Sequence, residues 1–137
     1  MACAEHILEE VEEHIKANCD GGVIFYPDLL ARDNSTTPAV ELYVAGFPCQ
    51  PFSTANNGRK GFSDPKGRGT VFDGCVRYIS THHLTTFVLE NVIGLKSQDG
   101  GRAYTRVIDT LTAIGGHRFY RVFVKLLNTC HYGIPHN

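Results

Sequence analysis

The chain has no CxxC pair, no surplus of one charge, and no apolar run near the ~20 residues of a membrane-spanning helix. Each absence removes a class of protein. Five cysteines (Cys3, Cys19, Cys49, Cys75, Cys130) are odd in number and scattered, which excludes a disulfide framework and suits a reducing compartment. The opening Met1-Ala2-Cys3-Ala4-Glu5-His6 has no basic stretch ahead of an apolar one, so no secretory signal is expected. Thirteen basic against 14 acidic residues give a formal charge of −1, which is not the balance of a strongly basic nucleic-acid binder. With 14 Gly, 6 Pro and 42% apolar residues, the chain is neither collagen-like nor disordered. Its 137 residues suffice for one domain or part of one, with no internal repeat or linker. A soluble, intracellular protein is expected, nuclear in a eukaryote and cytoplasmic in a bacterium or virus.

The charge is uneven. Residues 1–41 hold nine acidic and two basic residues, and residues 42–137 hold five acidic and eleven basic ones. Such asymmetry hints at a surface facing a polyanion.

Helical spacing of Ile7, Leu8, Val11 and Ile15 predicts a helix over 3–18, stopped by Asn18 to Gly22. Val23 to Tyr26 forms a short strand candidate, and 27–40 reads as loop. Leu42 to Gly46 is a buried strand ending at glycine. Helices are expected over 71–79 and 102–114, and strands over 85–89 and 119–127. Alternating strands and helices imply an α/β fold with an open, mostly parallel sheet and flanking helices.

Between the strand at 42–46 and the helix at 71 lies a 22-residue stretch, Phe47–Arg68, with little periodicity. Loops this long are uncommon in compact domains and are usually functional. It leaves a strand at the carboxyl edge, where α/β sheets hold their sites. It opens Gly46-Phe47-Pro48-Cys49-Gln50-Pro51-Phe52-Ser53, a cysteine held between prolines. Leu89-Glu90-Asn91-Val92 ends the best strand and brings a carboxylate to the same edge if the two strands are neighbours. A thiolate and an acid at one edge are the parts of covalent catalysis with proton transfer. Taken alone, such a cysteine is more often a small buried apolar residue, and such a glutamate a solvated cap.

In combination these segments resemble the cytosine-C5 DNA methyltransferase family. Ala45 to Ser53 is similar to that family's catalytic Pro-Cys-Gln motif. Gly61-Phe62-Ser63-Asp64 with Gly67-Arg68-Gly69-Thr70-Val71-Phe72 is similar to its Asp-x-Arg-Gly-x-Leu-Phe segment. Phe87 to Val92 resembles its Glu-Asn-Val motif, and Leu127-Asn128 with Tyr132-Gly133-Ile134-Pro135 the start of its Tyr-Gly-Ile-Pro-Gln motif. The four motifs occur in the family's order over about residues 41–137.

The resemblance implies an incomplete Rossmann-like fold that uses S-adenosyl-L-methionine. It implies that Cys49 attacks C6 of a cytosine flipped out of duplex DNA and that Glu90 acts as the proton donor at ring N3. C5 then takes the methyl group and elimination frees Cys49. Asn91 braces the loop carrying Cys49, and Gln50 and Ser53 contact DNA near the vacated space. On the cofactor side the resemblance implies Asp28 at the adenine amino group and Glu5 at the ribose hydroxyls, with Pro48 and Val71 packing against the ligand. Asp28 reads equally as an ordinary turn residue. Arg59, Lys60 and Arg68, in a Gly-punctuated loop, suit a phosphate backbone or simply a solvated surface.

Other patterns are weak. Gly67-x-Gly69 is followed by Phe72 where a dinucleotide fingerprint needs glycine. His82-His83 after Cys75 reads as a polar helix end rather than a metal site, and Glu10 with His14 as a solvated pair. No metal and no membrane are expected.

The chain departs from the family pattern in lacking a Gly-rich first motif, in having His136 where Gln is usual, and in stopping before the later motifs and the target-recognition region. The expectation is therefore a partial catalytic domain over 1–137 with little turnover alone. Two other readings stand beside it: a relative acting on tRNA, although that branch usually has Thr at the place of Ser53, and a non-catalytic remnant.

Overall fold

The computed structural model describes residues 10–14, 17–18, 24 and 26–133. The chain divides into two compact units, Met1–Asp33 and Asn34–Asn137.

In the first unit, residues 10–14 and 17–18 are helical, and the Asn18 amide donates to the His14 carbonyl at 2.7 Å. The rest of the helix expected over 3–18 lies outside the described residues, as does Glu5. The strand expected at 23–26 is not formed at Ile24 or Tyr26, and residues 23 and 25 lie outside the described set. Strand propensity reports fit to a pleated surface, and without a hydrogen-bonded neighbour it makes no ladder. Asp28 instead organises a turn. Its Oδ1 accepts from the N–H groups of Leu30 at 2.7 Å and Ala31 at 3.3 Å, and its carbonyl accepts from Arg32 at 3.0 Å. The Arg32 guanidinium lies 5.3 Å from the Tyr26 ring centroid.

The second unit is built on two strands, β1 (Leu42–Gly46) and β2 (Thr86–Glu90). They pair in parallel with Leu42 opposite Thr86 and Gly46 opposite Glu90. Parallel pairing demands a crossover, and the chain supplies one through α1 (Val71–His82). Phe72, Cys75 and Ile79, three to four residues apart, form the buried stripe of α1 with Tyr78 beside them. His83 ends the helix in the left-handed conformation, with φ 47°. After β2 come a single helical turn, α2 (Gly94–Ser97), and α3 (Arg102–Ala113), which buries Ala103, Val107 and Leu111 at i, i+4 and i+8. The tight link between α2 and α3 uses positive φ at Asp99, Gly100 and Gly101.

The core combines these stripes with Phe47 and Phe52 of the long loop, Leu84, Leu95 and Ile114. Tyr78 also ties the crossover to the segment before β1 and to β1 itself: its hydroxyl donates to the Pro38 carbonyl at 2.6 Å, and its ring lies 4.9 Å from that of Tyr43, tilted by 53°. Strand side chains alternate between faces. Tyr43, Ala45, Phe87 and Leu89 are half-buried, while Leu42, Val44 and Val88 on the other face are exposed.

The strand expected over 119–127 is not formed. Tyr120 is anchored by its hydroxyl on the Leu84 carbonyl at 2.7 Å and by its ring, 5.1 Å from that of Phe87. Beyond it Phe123, Val124, Leu126 and Leu127 are exposed. The sheet of the described residues has two strands, and this segment pairs with neither. Its β-branched and aromatic composition is therefore unused. No helix of the described residues is long and apolar enough to cross a membrane.

Candidate active site

The register of β1 and β2 fixes the site. Gly46 and Glu90 are partners, so both strands deliver their last residues to the same sheet edge. A Cβ built on Gly46 would stand 3.3 Å from Oε2 of Glu90, so the glycine leaves that carboxylate its room.

From Gly46 the chain turns sharply. The Cys49 carbonyl accepts from the N–H groups of Phe52 at 2.9 Å and Ser53 at 2.8 Å. Phe47 and Phe52, flanking the turn, are buried and meet edge to face at 5.9 Å. Pro51 is fully buried beside them. Two aromatic anchors thus hold the turn while Cys49, a free thiol, stays partly exposed at its crest. The anchors continue inward, with Phe72 of α1 5.4 Å from Phe47 and Phe62 5.2 Å from Phe52.

The strand β2 side braces the same turn twice. The Asn91 amide donates to the Phe47 carbonyl at 2.8 Å, and its Oδ1 accepts from the Val92 N–H at 2.9 Å. At the start of α2 the Gly94 backbone comes so close that an added Cβ would lie 2.3 Å from the Phe52 carbonyl oxygen. The loop itself is closed at a neck, where the Gly61 N–H donates to the Pro51 carbonyl at 2.9 Å. Within it Asn56 bonds the Gln50 carbonyl at 2.9 Å and the Gly58 N–H at 3.0 Å, and the Ser53 hydroxyl accepts from Ala55 at 3.2 Å.

The structure thus brings Cys49, Gln50, Ser53, Pro48, Asn91 and Glu90 together on segments leaving one sheet edge, with Val71 at the first position of α1. The basic residues differ among themselves. Lys60 is exposed, and Arg59 reaches the Phe52 carbonyl at 3.4 Å. Arg68 is held in a two-pronged pair with Asp64, Nε to Oδ2 at 2.9 Å and Nη2 to Oδ1 at 2.8 Å. That guanidinium holds the Asp64 carboxyl at about 2, well below the usual carboxylate range. Asp28 belongs to the other unit, and Glu5 lies outside the described residues. Among the described residues no three His, Cys, Asp or Glu side chains gather as metal ligands would.

Sequence reading missed Gly94 and Arg106. The signal for Gly94 was a glycine three residues after Asn91, where a close backbone approach needs no side chain. Arg106 of α3 gave none: it lies 4.1 Å from the Phe62 ring centroid and pairs with Asp73 of α1 at 3.1 Å.

Neighbouring parallel strands that carry a thiol-bearing turn and a carboxylate to one edge define an α/β protein of the open-sheet class, whose sites lie beyond strand carboxyl ends. A family model for C-5 cytosine-specific DNA methylases matches residues 7–137. The chain is 40% identical over 110 residues to type II methyltransferase M.NgoBI of Neisseria gonorrhoeae, covering 80% of this chain and 32% of that protein. It is 39% identical over 114 residues to M.MspI of Moraxella sp, covering 83% and 26%. With M.NlaX of Neisseria lactamica the identity is 37% over 117 residues, covering 85% and 35%. The chain belongs to the C-5 cytosine-specific DNA methylase family, and its strands and helices form part of a Rossmann-like methyltransferase fold. It spans about a quarter to a third of the length of these relatives.

Proposed function

We propose that the chain is the catalytic segment of a DNA cytosine-C5 methyltransferase, with duplex DNA as substrate and S-adenosyl-L-methionine as methyl donor. The observation that carries this reading is the Gly46–Glu90 register, which sets the segment bearing Cys49 beside the strand bearing Glu90. Cys49 attacks C6 of a flipped cytosine as the thiolate, and Glu90 holds a proton at N3 as negative charge develops on the ring. Asn91 braces the turn through the Phe47 carbonyl. Gln50 and Ser53 face the DNA around the vacated position, and Arg59, Lys60 and Arg68 contribute positive charge near its backbone. The reading implies an intracellular protein.

S-adenosyl-L-methionine supplies the methyl group when bound. Three of the residues assigned to it, each taken within its own unit of the chain, have surroundings that suit that ligand. Pro48 and Val71 are both half-buried and offer apolar contact. Asp28 commits one oxygen to two backbone N–H groups, which fixes its carboxylate and leaves the other oxygen to accept from an amino group. Glu5 is assigned to the ribose by resemblance alone. By itself the chain is expected to show little turnover.

The test is a chimera in which this chain replaces the matched segment of M.NgoBI. Transfer of labelled methyl groups to duplex DNA, lost on Cys49→Ser together with covalent trapping on 5-fluorocytosine, is the expected result. A chimera that folds and binds DNA yet transfers no label overturns the reading. Trapping on tRNA instead of DNA reassigns the substrate.

A further inference from the structure

Behind the neck of the Cys49 loop lies a cavity with a volume of about 540 Å³. Its walls come from the loop end on one side and from the α2–α3 link and α3 on the other. Four cationic side chains line it, Arg59 and Lys60 from the loop and Arg102 and Arg106 from α3, against the single carboxylate of Asp99. Arg102 pairs with Asp99 across an exposed surface, and Arg106 pairs with Asp73 from outside the lining. Counting both carboxylates, two positive charges remain in excess. Lys60 is exposed, so its ammonium is available to an arriving anion.

A second feature is independent of charge. Gln98 also lines the cavity and is buried, 7% exposed, packed under Gly61. Its Oε1 is buried and has no hydrogen-bond partner. A buried acceptor without a partner costs about 1–3 kcal/mol, and native proteins rarely leave one without a reason. Beside that oxygen the carboxamide carries N–H donors, the groups that a bound oxyanion needs at the cavity wall. The first turn of α3 borders the same space with no side-chain cap on its N–H groups.

We propose that this cavity binds a phosphate group, held by Lys60, Arg59 and Arg102 over the Gln98 carboxamide, and that the DNA backbone supplies it. The volume admits a phosphate together with the sugars that flank it. Occupation draws the loop end toward α3, so a backbone phosphate tethers the loop at its neck, away from Cys49. The DNA source rests on the function proposed above; the phosphate site does not.

The test is a titration of the full 137-residue chain, labelled with nitrogen-15, with inorganic phosphate at constant ionic strength set by chloride. Saturable amide shifts confined to 59–63 and 98–106 are expected, with affinity falling about tenfold in Lys60→Gln/Arg102→Gln. Both side chains are exposed, so the variant keeps the fold, and an unchanged thermal melt verifies this. No saturable shift, or shifts that persist in the variant, overturn the site. Duplex DNA that shifts the same amides and is displaced by phosphate supports the backbone as source. Phosphate binding with no response to DNA overturns that source and assigns the cavity to a free phosphorylated ligand. The chimera assay reads Cys49 chemistry and phosphate titration does not, so the two readings fail separately.

Discussion

The Asn91 side-chain amide donates to the Phe47 carbonyl at 2.8 Å, 44 residues back along the chain. Phe47 is the residue through which the chain leaves β1, and Asn91 is the first residue beyond β2. One part-buried bond thus fixes the angle between the two exits. Without the side chain the Phe47 carbonyl has no partner, a loss of about 1–3 kcal/mol. Asn91→Ala is expected to lower the free energy of unfolding in urea by that order and to broaden the reactivity of the Cys49 thiol toward alkylation. An unchanged denaturation midpoint counts against this role. Asn91→Asp restores the volume but not the donor, so it is expected to fail likewise.

Gly94 and Gly100 predict opposite outcomes for the same replacement. At Gly94 an added methyl would overlap the Phe52 carbonyl at 2.3 Å and crowd the Thr54 nitrogen at 3.1 Å. Backbone atoms cannot swing aside as a side-chain end does, so Gly94→Ala is expected to cost about 2–3 kcal/mol and to loosen the Cys49 turn. At Gly100 nothing lies within 4 Å, and only the φ of +63° opposes a side chain. There the expected cost is about 1 kcal/mol. Equal losses in paired thermal melts would refute the contrast.

Phe52 and Phe72 are fully buried and lie at the heart of the ring cluster that carries the Cys49 turn. Phe72→Ala is expected to cost about 3–5 kcal/mol, measured by denaturant unfolding. Phe72→Leu, which keeps most of the volume, is expected to lose much less. If the two were equal, the aromatic cluster would not be what holds the turn.

The order β1, α1, β2, α3 was legible because each element has a pattern of its own. Leu42–Gly46 and Thr86–Glu90 are short apolar runs bounded by turn residues, and α1 and α3 carry apolar residues at 3.6 spacing. Cys49 and Glu90 were singled out by the family motifs around them, and their shared edge was conditional on the two strands being neighbours. What was not legible depends on partners distant in sequence. Phe119–Leu127 has strand composition, yet a ladder needs a neighbour and the sequence does not say which one. Gly94–Ser97 is too short for a period to show. The Asp64–Arg68 pair was hidden because the stretch was read as a family motif and for its basic charge, and neither reading says which charges meet.

That pair makes a pH-dependent prediction. Asp64 is held at about 2 by the Arg68 guanidinium, below its ordinary 3.8. A depressed carboxyl contributes stability that is present above the unfolded value and lost as pH falls from 3.8 toward about 2. Asp64→Asn is therefore expected to be the less stable protein at neutral pH, with the difference from the parent shrinking across that acid range. A difference independent of pH would show that the pair's charge is not what stabilises the loop.

Arg68 and Lys60 are also expected to differ toward DNA. The Arg68 charge is engaged by Asp64, whereas Lys60 is exposed. If Lys60 meets one phosphate, Lys60→Ala lowers the slope of log affinity against log salt by about 0.9, and Arg68→Ala changes it less. Equal slopes for the two variants would contradict this ordering.

The Gly61–Pro51 bond at the loop's neck has a consequence for how this segment tolerates sequence change. Because the neck is pinned by backbone atoms, the residues between its ends can grow in number without moving the stem on which Cys49 stands. Closing a loop twice as long costs only about 0.6 kcal/mol more. The tip near Asn57 is therefore the natural place for insertions, reporter peptides or graft sequences, and a length polymorphism there would leave the chemistry at the stem untouched.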